Sequence, residues 1–163
     1  MAVSFDLDPV PTPTPAPRSH SSGAGRSGLS AGAASNIPAG GHVSFWVQGS
    51  AIYVATVTAA EQIPEILITV EQTGLSSGSD APTGAVYEYY EVLPYRTTDA
   101  ALAGATLNFT VPKAWRAEQG FGPEDVVLYR YHNGTWQALP TEMIGEDATG
   151  VVPSWQGGTQ YRR

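Results

Sequence analysis

The residues of this chain whose types suit chemistry are three histidines, two glutamates set among tyrosines, and two acidic dipeptides. His20, His42 and His132 lie far apart, none has a second histidine at metal-ligand spacing, and no HExxH occurs. A lone histidine needs several further groups to make a catalytic constellation, so none is assigned a catalytic or ligand role. Glu88 and Glu91 stand among Tyr87, Tyr89 and Tyr90, and paired carboxylates with aromatics are what a glycosidase or a sugar-binding cleft uses. If this stretch is a strand, residues three apart face opposite sides, and the two carboxylates make no local dyad without a bulge.

Glu124-Asp125 and Glu146-Asp147 offer carboxylate oxygens suited to Ca²⁺, but neither has the DxDxDG spacing of a dedicated loop. There is no GxSxG nucleophile elbow and no phosphate-cradling glycine loop opening a helix. With no cysteine in the chain, disulfides, thiolate catalysis and zinc-thiolate sites are excluded. The reading is therefore of a protein that is not an enzyme, with no catalytic residue, no cofactor and no metal site. Two N-x-T sequons remain as candidate N-glycosylation sites for an exported protein: Asn108-Phe109-Thr110 and Asn133-Gly134-Thr135.

The elements that position these residues centre on residues 111–140. Pro112 suits the first turn of a helix, residues 113–119 are acceptable helix formers, and Gly120 can stop them. Residues 125–132 read as a strand rich in Val, Leu and Tyr. Asn133-Gly134 supplies a type I′ turn, and residues 135–139 return antiparallel. Upstream, residues 42–47 and 52–58 are two β-rich runs around a turn at Gln48-Gly49-Ser50. In a third strand Ile66, Ile68 and Val70 face one way, and Glu65, Thr69 and Glu71 the other. A loop at residues 75–84 leads to an aromatic strand at 85–93. A helical turn is expected within 97–103, before Ala105, Leu107, Phe109 and Val111 alternate with Thr106, Asn108 and Thr110. These features predict an all-β fold: an antiparallel β-sandwich of about seven strands with one short helix.

Outside this core the composition changes. Residues 1–35 contain PVPTPTPAP and a Ser/Gly/Ala run with little to bury, and are expected to be a disordered linker or stalk. The sandwich is expected over residues 36–147, with residues 148–163 as an atypical tail. Fifteen acidic residues against eight basic ones give a net charge of −7, which leaves no basic stripe for nucleic acid and disfavours anionic lipid. No apolar run reaches the roughly 18 residues of a membrane helix, and residues 1–10 lack the pattern of a signal peptide.

VYEYYEVL, the VPKAW helix start and VVLYRYHNGTWQALPTEMIGED resemble the PGF-pre-PGF domain of methanogen and haloarchaeal surface proteins. The match runs over residues 37–147. It implies a non-catalytic, extracellular, S-layer-associated module of a longer exported glycoprotein, with a structural or adhesive role toward other cell-envelope proteins or glycans. It carries over only structural roles: Trp115 packing the helix, Tyr129 and Tyr131 lining the hairpin, and Trp136 covering it. The tail ATGVVPSWQGGTQYRR departs from the family's closing aromatic strand and Pro-Gly-Phe segment. It is read as a truncation or frame change that leaves a sheet edge open. The reading from a different class is a carbohydrate-binding module in which Tyr87, Tyr89, Trp46 or Trp136 forms a stacking platform for sugar rings.

Overall fold

The computed structural model of the chain describes residues 2–5, 29–75, 80–146 and 153–160. Its strands run in chain order as β1 (Ala2–Phe5), β2 (Leu29–Ile37), β3 (His42–Trp46), β4 (Ile52–Ala59), β5 (Ile63–Thr73), β6 (Tyr89–Tyr95) and β7 (Leu102–Thr110). After the helix α1 (Lys113–Gln119) come β8 (Leu128–His132), β9 (Thr135–Leu139), β10 (Thr141–Glu146) and β11 (Pro153–Gln160). They form a six-stranded sheet, in the order β2-β5-β6-β1-β8-β9, and a five-stranded sheet, in the order β10-β11-β7-β4-β3.

The alternation read from the sequence decides which face each strand hides. Ile66, Ile68 and Val70 of β5, and Tyr90 and Val92 of β6, are buried. They share one core with Phe45 of β3, Ile52 and Val57 of β4, and Leu107 and Phe109 of β7. Among the described residues the fold is all-β with one short α-helix, as expected, and its core lies between the two sheets.

The helix and hairpin form where the local signals place them. Gly120 at φ 73° ends α1 in the left-handed region, with its N–H on the Ala117 and Arg116 carbonyls and the Phe121 N–H on the Arg116 carbonyl. Asn133 at φ 49° and Gly134 at φ 77° make the two left-handed residues of the β8–β9 turn.

Several boundaries differ. The aromatic strand begins at Tyr89 rather than residue 85 and runs on to Tyr95. The strand expected from residue 125 begins at Leu128, because Pro123–Asp125 closes a 3₁₀ turn in which the Gly122 N–H donates to Asp125 Oδ2 at 2.7 Å.

The linker expected over residues 1–35 is shorter than expected, because continuous strand begins at Leu29. β1 lies inside it, and β2 crosses its boundary at Asn36 and pairs along β5 from Leu29 to Ile37. β2 was illegible because most of its residues are small: apart from the buried Ile37, backbone ladder bonds rather than large buried side chains hold it. Gly32 permits close contact, since a Cβ there would sit 2.6 Å from Phe45 Cδ1. The sheet is also not wholly antiparallel, because β1 runs parallel to both β6 and β8.

The tail requires the opposite correction to the open edge expected there. β11 pairs with β7 on one side and β10 on the other, so it fills an interior position of the five-stranded sheet. The two added terminal strands, β2 and β10 account for the excess over seven. β11 is seated at Gly157, which is buried. A Cβ there would lie 2.9 Å from Leu128 Cβ on the facing sheet, and Leu128 is 0% exposed. Gly157→Ala is therefore expected to destabilise the protein by about 1–3 kcal/mol, as overpacking does, read as a lower urea midpoint. An unchanged midpoint would mean that the tail does not pack on Leu128.

Candidate functional site

Segment 80–88 brings the chemistry-bearing residues together. It precedes β6 and holds Gly84 at φ 99°, a left-handed conformation that glycine adopts without a Cβ clash. At its end Glu88 accepts a hydrogen bond from the Tyr90 hydroxyl. The same hydroxyl accepts from the Ala51 N–H at 2.9 Å. Tyr90 lies on the inner face of β6 and is 1% exposed, while Ala51 leads into β4 of the other sheet. The phenol thus ties the two sheets together through its one polar atom.

Burial, with the hydrogen bond to Glu88 next in size, pushes the Tyr90 hydroxyl up to about 12 from the ordinary 10.0. Tyr87 is raised as well, first by burial and then by the nearby Glu88 charge. Glu91 points the other way: β-strand alternation sets it on the outer face, where it stands opposite Glu71 of β5 in register. Glu88 and Glu91 therefore serve different faces, and the local carboxylate dyad of a glycosidase does not form.

A cleft of about 230 Å³ opens between segment 82–86 and residues 121–127, lined by Val111, Trp115, Phe121, Asp125, Val126 and Tyr129 among others. Trp115 projects from α1 into edge contact with Tyr87, with ring centroids 5.1 Å apart, and stands 6.2 Å from Phe121. Composition offered no sign of this cleft, because its walls come from stretches about thirty residues apart. A second aromatic group sits on the outer face of the hairpin. Trp136 lies 5.0 Å from Tyr131, its register partner, and 6.0 Å from Tyr89. Its indole N–H donates to the Asp80 carbonyl at 2.6 Å, so segment 80–88 is anchored over this ring.

The remaining candidates are dispersed. Asn133, Gly134 and Thr135 are exposed at the hairpin tip, whereas Asn108 is half-buried on β7, which is paired on both sides. Trp46, on the edge strand β3, is 75% exposed. His42 lies at that same edge and His132 at the hairpin end; His20 and Asp147 lie outside the described residues. Among the described residues no group of three or more His, Asp or Glu side chains is placed to hold a metal ion, and no helix is long and apolar enough to cross a membrane. Comparison of the chain with family models, with curated proteins and with solved structures gives no match.

Tyr90 was the residue that motif reading passed over, although it shares parity with Val92 and so had to face the core. Tyr90→Phe takes the acceptor from the Ala51 N–H and the donor from Glu88, at an expected cost of about 1–3 kcal/mol. The pH dependence has a definite sign. A phenol whose folded pKa is raised contributes stability that is complete below pH 10 and is lost as pH rises from 10.0 towards about 12, because the unfolded chain ionises first. Alkaline unfolding followed by near-ultraviolet absorbance should show this late-titrating tyrosine in the parent chain, and its absence in Tyr90→Phe. A parent chain with every tyrosine titrating normally would contradict the assignment.

Proposed function

We propose that this chain is a non-catalytic module of an archaeal cell-surface protein, with a structural or adhesive role toward other envelope proteins or their glycans. The observation that carries the reading is how the aromatic residues of the family-like signature are used. Trp115 packs against Tyr87 and Phe121 beneath segment 80–88, and Tyr129 lines the wall facing it. Tyr131 and Trp136 pack on each other, with the indole N–H held by Asp80. Residues engaged in this way specify architecture rather than catalysis, which fits what the resemblance to the PGF-pre-PGF domain implies. The exposed hairpin tip suits Asn133 as a glycan acceptor, and the net charge of −7 suits a solvated envelope surface.

In cells that produce the parent protein, protease treatment of intact cells is expected to remove the module. Glycopeptide mass spectrometry is expected to find a glycan on Asn133 and none on Asn108. Recovery of the native protein only from cytosolic fractions would sink the proposal.

One observation favours a second reading, carbohydrate binding: Trp46 is 75% exposed, so its ring faces are open to a sugar. The rings of Tyr89 and Tyr131 are each tilted by 54° against that of Trp136 and make a poorer flat platform. On this reading Trp46→Ala weakens binding to a glycan array by about tenfold or more while the melting temperature stays unchanged. Undiminished binding, or none by the parent chain, excludes Trp46 as the platform.

A further inference from the structure

The most unusual feature of the backbone is the position of β1. It spans only Ala2–Phe5, yet it stands in the middle of the six-stranded sheet, with β6 on one side and β8 on the other. Ala2, Val3 and Ser4 are in register with Tyr89, Tyr90 and Glu91 and, on the opposite side, with Tyr129, Arg130 and Tyr131. β6 and β8 do not pair with each other. Without β1 the sheet divides into β2-β5-β6 and β8-β9, and two rows of backbone N–H and C=O groups lose their partners. The rest of the fold therefore contains a strand-shaped slot that a short N-terminal segment completes.

Nothing in the ladder requires that segment to come from the same molecule. Leu29, Glu71, Glu91 and Ser4 fall on one register row across β2, β5, β6 and β1. The end of β1 and the start of β2 therefore lie about 14 Å apart, three strand spacings. Residues 6–28, with proline at every second position from Pro9 to Pro17 and then a Ser/Gly-rich run, are several times longer than that gap requires. A tether of such excess length gives the segment an effective concentration only on the order of millimolar at its own slot. A second copy presents an identical strand with identical register, so exchange changes no contact in the sheet.

We propose that the slot between β6 and β8 is a strand-acceptor site for residues 2–5 of a second copy of this chain, linking copies by strand exchange. This rests on the ladder and on the length of the chain between β1 and β2, and holds whether or not the proposed envelope role is correct.

The test is to refold the full chain from denaturant at increasing concentration and to measure mass by size exclusion with light scattering. Dimers or longer assemblies are expected to be rare at about 10 µM and to approach half of the protein at about 1 mM. An excess of a synthetic peptide of residues 1–7, added during refolding, is expected to return the chain to monomers. Removing residues 8–28 leaves a reach of about 11 Å, too short for a strand to return to its own slot. This variant is expected to assemble even at about 10 µM. Val3→Pro with Ser4→Pro removes one ladder donor towards each neighbour and is expected to abolish assembly in the shortened chain. A parent chain that stays monomeric at about 1 mM overturns the proposal. So do assemblies that ignore the peptide, or that persist in the proline variant.

Discussion

Each sheet of this protein has one apolar face, and those faces must be hidden against each other; the rest of the structure depends on meeting that condition. With Ile66, Ile68 and Val70 on one side and Ile52, Leu107 and Phe109 on the other, the contact is almost wholly hydrocarbon and so fixes separation better than alignment. One polar atom that supplies direction is the Tyr90 hydroxyl, which reaches from β6 to the Ala51 N–H at the entrance to β4; the Leu128 N–H, donating to Thr141 Oγ1 at 2.9 Å, joins β8 to β10 in the same way. A buried hydroxyl without partners would be costly, and that of Tyr90 has an acceptor in Glu88 and a donor in Ala51. Glu88 thus holds the Tyr90 hydroxyl, and of the tyrosine-rich stretch that suggested a sugar cleft it is Tyr90 that clamps the two sheets.

The same requirement explains the small residues. Where a large side chain of one sheet presses on the backbone of the other, that backbone can carry no side chain of its own, and glycines stand at these contacts between opposite layers: Gly32 against Phe45 and Gly157 against Leu128. Both lie in segments whose composition resembles a linker or a loose tail. Glycine- and alanine-rich strands contribute little side-chain burial, but they complete ladders and let the sheets close. Both ends of the chain thus finish sheets that its middle begins, with β1 between β6 and β8 and β11 between β7 and β10.

Functional readings follow from where the aromatics end up. Trp115, Tyr87 and Phe121 support one wall of the cleft, and Trp136 with Tyr131 secures segment 80–88 from the outer face. Trp46 is a different case: it sits on the edge strand β3 with most of its surface in water. An exposed indole beside unpaired strand edges is a place where a partner can add contacts.

By itself the sequence determined what short-range physics controls. Alternation gave the buried faces of β5 and β7, Pro112 and Gly120 bounded the helix, and Asn133-Gly134 made the hairpin, because backbone geometry at these points depends on the residues themselves. Tertiary structure alone decided the long-range pairings. The seating of Ala2–Phe5 between β6 and β8, the return of Pro153–Gln160 to the sheet interior, and the choice of Ala51 as Tyr90's partner join segments far apart in the chain. The two strand pairings run through backbone bonds, and local composition carries no record of which distant edge a backbone will meet.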